Sequence, residues 1–123
     1  MDCATVSIDI DDYCTELSKT TPTARKEHKC HECHRQIKVG ETYERVTVAF
    51  DGTVATNKTC CDCVSIREAF FSDGYYFERI MEDFEEHVSE CRGDIAEEQM
   101  IKLTPRAKGI VADMMERYLE EGE

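Results

Sequence analysis

The clearest hydrophobic pattern in the chain is an alternation of apolar and polar side chains that begins at residue 43. The apolar positions of that pattern are Val46, Val48 and Phe50, which would share one face of a strand. The next two residues, Asp51 and Gly52, are typical of a tight turn that needs a positive φ, and residues 53–56 suit a returning strand. The pattern therefore predicts a β-hairpin over residues 43–58.

Helical spacing follows the hairpin. Ile66 and Phe70 stand four residues apart, which predicts a helix directly after Cys63. A second amphipathic helix is predicted over residues 75–91, with an apolar face made of Phe77, Ile80, Met81, Phe84 and Val88. We expect this face to be buried against the other helices.

Two further helices are predicted from capping signals. Asp94 has capping-box spacing and would open a short helix that ends at Leu103. Thr104 and Pro105 suit the N-cap and first position of a last helix. Its apolar stripe consists of Ala107, Ile110, Val111, Met114, Met115, Tyr118 and Leu119.

The amino-terminal stretch is harder to assign. Alternation at Val6, Ile8 and Ile10 predicts a short strand, and a polar, threonine-rich segment follows it. We therefore divide the chain into an N-terminal arm (1–23), loosely attached, a zinc-finger module (24–72) and an acidic helical region (73–123) that packs on the module. The length of 123 residues suits a single domain overall.

Eight cysteines are many for such a chain, and their spacing favours a metal site. Cys30 and Cys33 form one C-x-x-C pair, and Cys60 and Cys63 form another after 26 intervening residues. The hairpin would return the second pair beside the first. Four sulfur ligands are typical of structural zinc, with iron as the alternative metal.

Other side chains near the pairs are weaker candidates. Cys61 could exchange with a ligand, and a histidine could replace a thiolate; the histidines in question are His28, His31 and His34. Glu32, two residues after Cys30, is the only candidate base for a zinc deaminase. A fourth thiolate would fill the position that catalytic water needs, so the sequence favours a non-catalytic protein. Cys3, Cys14 and Cys91 have no partner spacing and are predicted to be free thiols.

The order of a C-x-x-C knuckle, a hairpin and a ligand pair opening a helix resembles a treble-clef zinc finger. Specific runs also resemble a group of small uncharacterised proteins of tailed phages and prophages. They are 23–33, 37, 40–44, 51–52, 58–63, 82–84 and 103–107. That resemblance implies a phage-encoded protein in the bacterial host cytoplasm, and we find no secretory signal pattern or apolar run long enough for a transmembrane helix.

Charge suggests the kind of partner. The formal net charge is −12, and residues 78–123 hold fourteen acids against six bases, a net −8. One side of the second predicted helix carries Glu82, Asp83, Glu85, Glu86 and Glu90. We expect this face to bind a host protein, as an acidic inhibitor of a host or defence protein that normally holds nucleic acid.

The alternative function is a small nucleic-acid-binding regulator. It would use the basic residues around the zinc knuckle, which are Arg25, Lys26, Lys29, Arg35, Lys38, Arg45 and Lys58. Residues 24–60 contain seven bases and five acids, so this segment is +2 while the rest of the chain is acidic. The overall charge disfavours nucleic acid, because phosphate binding depends on clustered positive charge.

Overall fold

The computed structural model of the protein describes residues 15–50, 52–71, 74–75 and 78–121. The short strand predicted at residues 6–10, Phe77 and the turn residue Asp51 lie outside this part. The elements, in chain order, are β1 (Thr15–Thr20), β2 (His28–Lys29), β3 (Gln36–Ile37), β4 (Tyr43–Phe50), β5 (Thr53–Cys60), α1 (Cys61–Phe70), α2 (Ile80–Glu90), α3 (Glu97–Met100) and α4 (Pro105–Glu121). The chain is thus α+β, with small antiparallel sheets, as the sequence predicts.

The predicted hairpin is confirmed. Strands β4 and β5 pair in antiparallel register from Tyr43 opposite Cys60 to Phe50 opposite Thr53. Gly52 has a φ of +79°, the positive value that the tight turn requires. The pairing runs to the last residue of β5, so the position of Cys60 relative to Tyr43 is set by the strand register.

Residues 15–20 do not form a loose arm. They form β1, which pairs antiparallel with β4 and gives the sheet the order β1-β4-β5. All six side chains of β1 are exposed. A strand with no buried side needs no alternation of apolar and polar residues, so the sequence of this segment does not indicate a strand. Backbone hydrogen bonds to β4 hold it instead, and the prediction of loose attachment is wrong for these residues.

The helix that follows Cys60 lies where the sequence predicts it, but α2 and α3 begin later than expected. Glu78 has a φ of +68°, outside the helical region, and Ile80 is the first residue of α2. The prediction that α2 starts at Tyr75 is therefore wrong. The N-cap of α3 is Ala96, without a side-chain bond, so the cap assigned to Asp94 is also wrong.

The start of α4 follows its sequence signals closely. Pro105 is the first helical residue, and the Thr104 hydroxyl accepts a hydrogen bond from the Ala107 amide at 3.2 Å. The bond satisfies one of the amides that a helix N-terminus leaves unpaired. The predicted capping by Thr104 is confirmed.

The helices bury their apolar faces together. Ile80, Phe84 and Val88 of α2 lie in one core with residues of α1 and α4, and the ring centroids of Phe84 and Phe70 are 4.6 Å apart. The α4 residues in this core are Ala107, Val111 and Met114, with Ile110, Met115 and Tyr118 partly buried against it. The predicted packing of the two stripes is confirmed, apart from Leu119, which is exposed.

A buried ion pair joins the sheet to the first helix. The Arg67 guanidinium in α1 donates two hydrogen bonds of 2.5 Å to the Glu44 carboxylate in β4. Both side chains are nearly fully buried. The two parallel bonds fix the direction in which α1 leaves the hairpin, because the guanidinium and carboxylate match in only one planar arrangement. Within the described ranges, no helix is long and apolar enough to cross a membrane.

Replacing Phe84 with alanine should destabilise the helical core. The ring is fully buried between Phe70 and Phe71, so its removal leaves a cavity and should lower the free energy of unfolding by about 3–5 kcal/mol. Chemical denaturation measures this change. Leu119→Ala on the exposed side of α4 is the control and should change stability by less than about 0.5 kcal/mol. Equal stability of the two variants would contradict the packing.

Candidate metal centre

The fold brings the four predicted cysteines to one place. Cys30 and Cys33 lie in the turn between β2 and β3, Cys60 ends β5, and Cys63 lies in the first turn of α1. The four sulfurs are within 4.8 Å of one another, and three of the residues are buried while Cys33 is half-buried. Together they form a group that could hold a metal ion, which we call the four-cysteine cluster.

The sulfur separations fit tetrahedral coordination. The Cys30 and Cys63 sulfurs lie 3.9 Å apart, and the Cys33 and Cys60 sulfurs lie 3.7 Å apart. Sulfurs at the corners of a tetrahedron with metal–sulfur bonds of ~2.3 Å would be ~3.75 Å apart. The cluster therefore has the size that one thiolate-bound metal ion requires.

Local hydrogen bonding favours negative charge on the cluster. The amides of Glu32 and Cys60 donate to the Cys30 sulfur at 3.4 and 3.3 Å. Hydrogen bonds shared with the other three thiols lower the pKa of Cys30, and the Cys60 amide adds to the effect. The same proximity raises the pKa of Cys63, because a second thiolate beside the first is repelled. A cation is needed for all four sulfurs to ionise together.

Asp62, which lies between Cys60 and Cys63 in the sequence, contacts side chains from separate parts of the chain. Its buried carboxylate lies 3.1 Å from Arg35 Nε and 3.2 Å from Arg106 Nη1, and it accepts the Thr104 hydroxyl at 2.7 Å. Arg35 follows the first cysteine pair, and Thr104 caps α4. This network holds α1 and α4 against the turn that carries Cys30 and Cys33.

The weaker ligand candidates lie outside the cluster. Cys61 is exposed, with its sulfur 3.9 Å from Arg35 Nη2. His31 accepts the Lys58 amide at its Nδ1, and His28 contacts Lys58 Nζ and the Tyr43 hydroxyl. Among the described residues, no other group of three or more metal-ligating side chains comes together.

Glu32 has a role that the sequence did not indicate. Its carboxylate is buried and accepts the Glu78 amide at 2.7 Å and the Ile80 amide at 3.0 Å. Burial raises the pKa of Glu32, and these two amide hydrogen bonds oppose that rise. The side chain thus caps the N-terminus of α2, which has no side-chain cap of its own from Arg79.

This contact could not be found from spacing, because Glu32 precedes the amides that it caps by 46 and 48 residues. No local capping signal connects two residues so far apart. The contact also bears on the deaminase alternative, since both oxygens of the only candidate base already accept backbone hydrogen bonds.

The acidic residues predicted to bind a partner lie on the solvent side of α2. Glu82, Glu85, Glu86 and Glu90 are exposed, and Asp83 is half-buried. Arg79 pairs with Asp83 at 3.1 Å and with Glu82 at 3.8 Å, and Arg117 of α4 pairs with Glu85 at 3.4 Å. Glu86 and Glu90 form no ion pair within the described part of the chain.

Comparisons with protein-family models, curated proteins and solved structures return no match to this chain. The resemblance to phage proteins therefore stays a prediction.

Cys91 is disulfide-bonded, whereas the five cysteines from Cys30 to Cys63 are free. The prediction of a free thiol at Cys91 is wrong, because a partner can be brought to it by folding without any spacing signal in the sequence. The same predictions for Cys3 and Cys14 lie outside the described residues.

Replacing Glu32 with alanine should loosen the start of α2. Loss of two hydrogen bonds to a charged cap should cost on the order of 2 kcal/mol and speed hydrogen exchange of the α2 amides. Glu27→Ala is the control, since Glu27 is an exposed carboxylate in the same module. Unchanged exchange of the α2 amides in the Glu32 variant would show that the cap does not hold the helix.

Proposed function

We propose that Cys30, Cys33, Cys60 and Cys63 bind one structural zinc ion in a treble-clef-like module. Four sulfur donors at tetrahedral separations support zinc, which takes this ligand set in closed structural sites. The turn between β2 and β3 would supply the knuckle, β4 and β5 the hairpin, and α1 the helix. When bound, zinc supplies four bonds that join the knuckle to the end of the hairpin.

In this proposal the protein is not an enzyme. Four thiolates leave no open position on the ion for water or substrate. Glu32 is buried, and each of its oxygens accepts a backbone amide of the α2 start, so its carboxylate is used as a helix cap rather than as a base. In this proposal the site stabilises the fold and positions α2, and it does not catalyse a reaction.

The function that we propose is binding of a host protein through the acidic side of α2. The observation that carries it is the two-sided character of this helix: its apolar side is buried, and four glutamates on the other side are exposed. Such an array can occupy a basic groove and steer association. A host or defence protein that normally holds nucleic acid has such a groove, and this chain would inhibit it.

The proposed setting is the bacterial host cytoplasm, which rests on the resemblance to phage proteins. The disulfide at Cys91 weighs against a fully reducing compartment, because disulfides persist mainly where conditions are oxidising. The alternative regulator would need the bases around the knuckle to face nucleic acid. Arg35 is instead engaged by Glu41 and Asp62, which weakens that alternative.

Elemental analysis of purified protein should find one zinc and no iron per chain. Cys60→Ser should lose the metal, because structural zinc contributes roughly 10–16 kcal/mol of apparent binding free energy that three ligands cannot sustain. Cys61→Ser is a closely matched control: it removes the adjacent, exposed thiol and should retain stoichiometric zinc. One zinc per chain in the Cys60 variant would contradict the ligand set.

Reversing two charges on α2 should weaken partner binding. Glu86→Lys with Glu90→Lys changes the exposed side of the helix and leaves the pairs made by Arg79 and Arg117 intact. Association should slow, and its dependence on salt should flatten, because the attraction is screened over about 10 Å at 0.1 M salt. Quantitative recovery of proteins from bacterial lysate at two salt concentrations measures the effect.

The control for this experiment is Glu116→Lys with Glu120→Lys on α4, which reverses the same number of charges at the same spacing. It should recover the same proteins as the parent. Loss of the same proteins from both variants would mean that net charge alone matters, and recovery of all of them by the α2 variant would contradict the proposal.

A further inference from the structure

The zinc-finger module has a second feature, a cleft of about 750 Å³ on its surface. It is formed by the segment that precedes the first cysteine pair and by the start of β4, and its lining residues are Pro22, Thr23, Arg25, Lys26, His28 and Tyr43. This volume lies in the range of clefts that bind small ligands. The acidic residues of α2 do not contribute to it.

The walls of the cleft are held by backbone pairing. The Tyr43 amide donates to the Pro22 carbonyl at 3.1 Å, and the Ala24 amide donates to the Glu41 carbonyl at 2.8 Å. Thr23 and Thr42 form an antiparallel bridge between these two contacts. These backbone hydrogen bonds therefore fix the positions of the residues that line the cleft, and they do not depend on a ligand.

The described carboxylates of residues 24–50 are engaged by other groups. Glu32 caps α2, Glu41 pairs with Arg35 at 2.9 Å, and Glu44 is bound by Arg67. Glu27 keeps its charge, since its hydrogen-bond donor is the neutral Gln36 amide group, but it does not line the cleft. Arg25 and Lys26, by contrast, are exposed and pair with no carboxylate in the described ranges. The cleft is therefore locally positive although the whole chain is −12.

A short relay of side chains sets the hydrogen-bonding character of Tyr43. Lys58 Nζ lies 3.1 Å from His28 Nδ1, and His28 Nε2 lies 3.5 Å from the Tyr43 hydroxyl. An ammonium group can only donate, so Nδ1 accepts and Nε2 carries the ring proton. The Tyr43 oxygen then accepts from His28, and its own O–H is left to donate to a ligand.

We propose that this cleft binds a phosphate group, with Arg25 and Lys26 supplying positive charge and Tyr43 supplying a hydroxyl donor. A phosphate offers several charged acceptor oxygens, which matches a guanidinium, an ammonium and an O–H that line the same cleft. The phosphate could be free, part of a mononucleotide or part of a nucleic-acid backbone, and these sources share the same chemistry. The site is separate from the acidic face of α2 and goes beyond the proposed host-protein binding.

Calorimetric titration of the zinc-loaded protein tests the site with three probes: inorganic phosphate, adenosine monophosphate and an eight-residue oligothymidylate. Arg25→Gln with Lys26→Gln should weaken binding about tenfold or more, and Tyr43→Phe should weaken it about threefold. Lys38→Gln is the control, since Lys38 is an exposed base in the same module that does not line the cleft. Zinc content and melting temperature confirm that each variant is folded.

The probes distinguish the sources of the phosphate. Binding of free phosphate and the mononucleotide, lost only in the Arg25/Lys26 variant, would establish a site for a single phosphate. Binding of the oligonucleotide alone, with the same dependence on these residues, would establish a backbone phosphate as the ligand. Equal weakening by Lys38→Gln, unchanged binding by the Arg25/Lys26 variant, or no binding of any probe would overturn the proposal.

This outcome is independent of the proposed host-protein binding. The Arg25/Lys26 variant keeps Glu86 and Glu90, so its recovery of host proteins should match that of the parent. A failure of the phosphate site therefore leaves the host-protein proposal standing, and the reverse also holds.

Discussion

The close approach of four cysteine sulfurs is the constraint on which the rest of this structure depends. Two sulfurs come from the turn between β2 and β3, and two come from the junction of β5 and α1. Four thiolates at these distances repel one another unless a cation lies between them. A bound zinc ion would contribute roughly 10–16 kcal/mol, which is as large as the whole stability of a typical domain.

The arrangement of the helices follows from side chains that sit beside these cysteines. Glu32 lies between Cys30 and Cys33 and caps α2, while Asp62 lies between Cys60 and Cys63 and reaches Arg106 and the Thr104 cap of α4. Each C-x-x-C pair therefore positions one distant helix through the acidic residue that it contains. If a metal ion is bound by these cysteines, its removal would also disturb the helical region through these two carboxylates.

Ion pairs and hydrogen bonds leave charges of opposite sign on two different surfaces of the protein. In residues 24–72 the described carboxylates are engaged by Arg35, Arg67, Gln36 or backbone amides, whereas Arg25 and Lys26 pair with no described carboxylate. On α2 the reverse occurs, because Glu86 and Glu90 form no ion pair in the described ranges. A chain with a net charge of −12 can in this way carry a positive cleft and a negative helix face.

Local patterns in the sequence determined the hairpin, the helix after Cys63, the start of α4 at Pro105 and the four cysteines that come together. Each depends on neighbours in the chain: alternation with a turn glycine, three- and four-residue spacing, a capping threonine, or C-x-x-C pairs at the ends of a hairpin. Only the tertiary structure decided the pairing of β1, the late start of α2, the disulfide at Cys91 and the cap by Glu32. These features join residues far apart in sequence, or satisfy backbone groups through polar segments, and neither condition leaves a periodic signal in the chain.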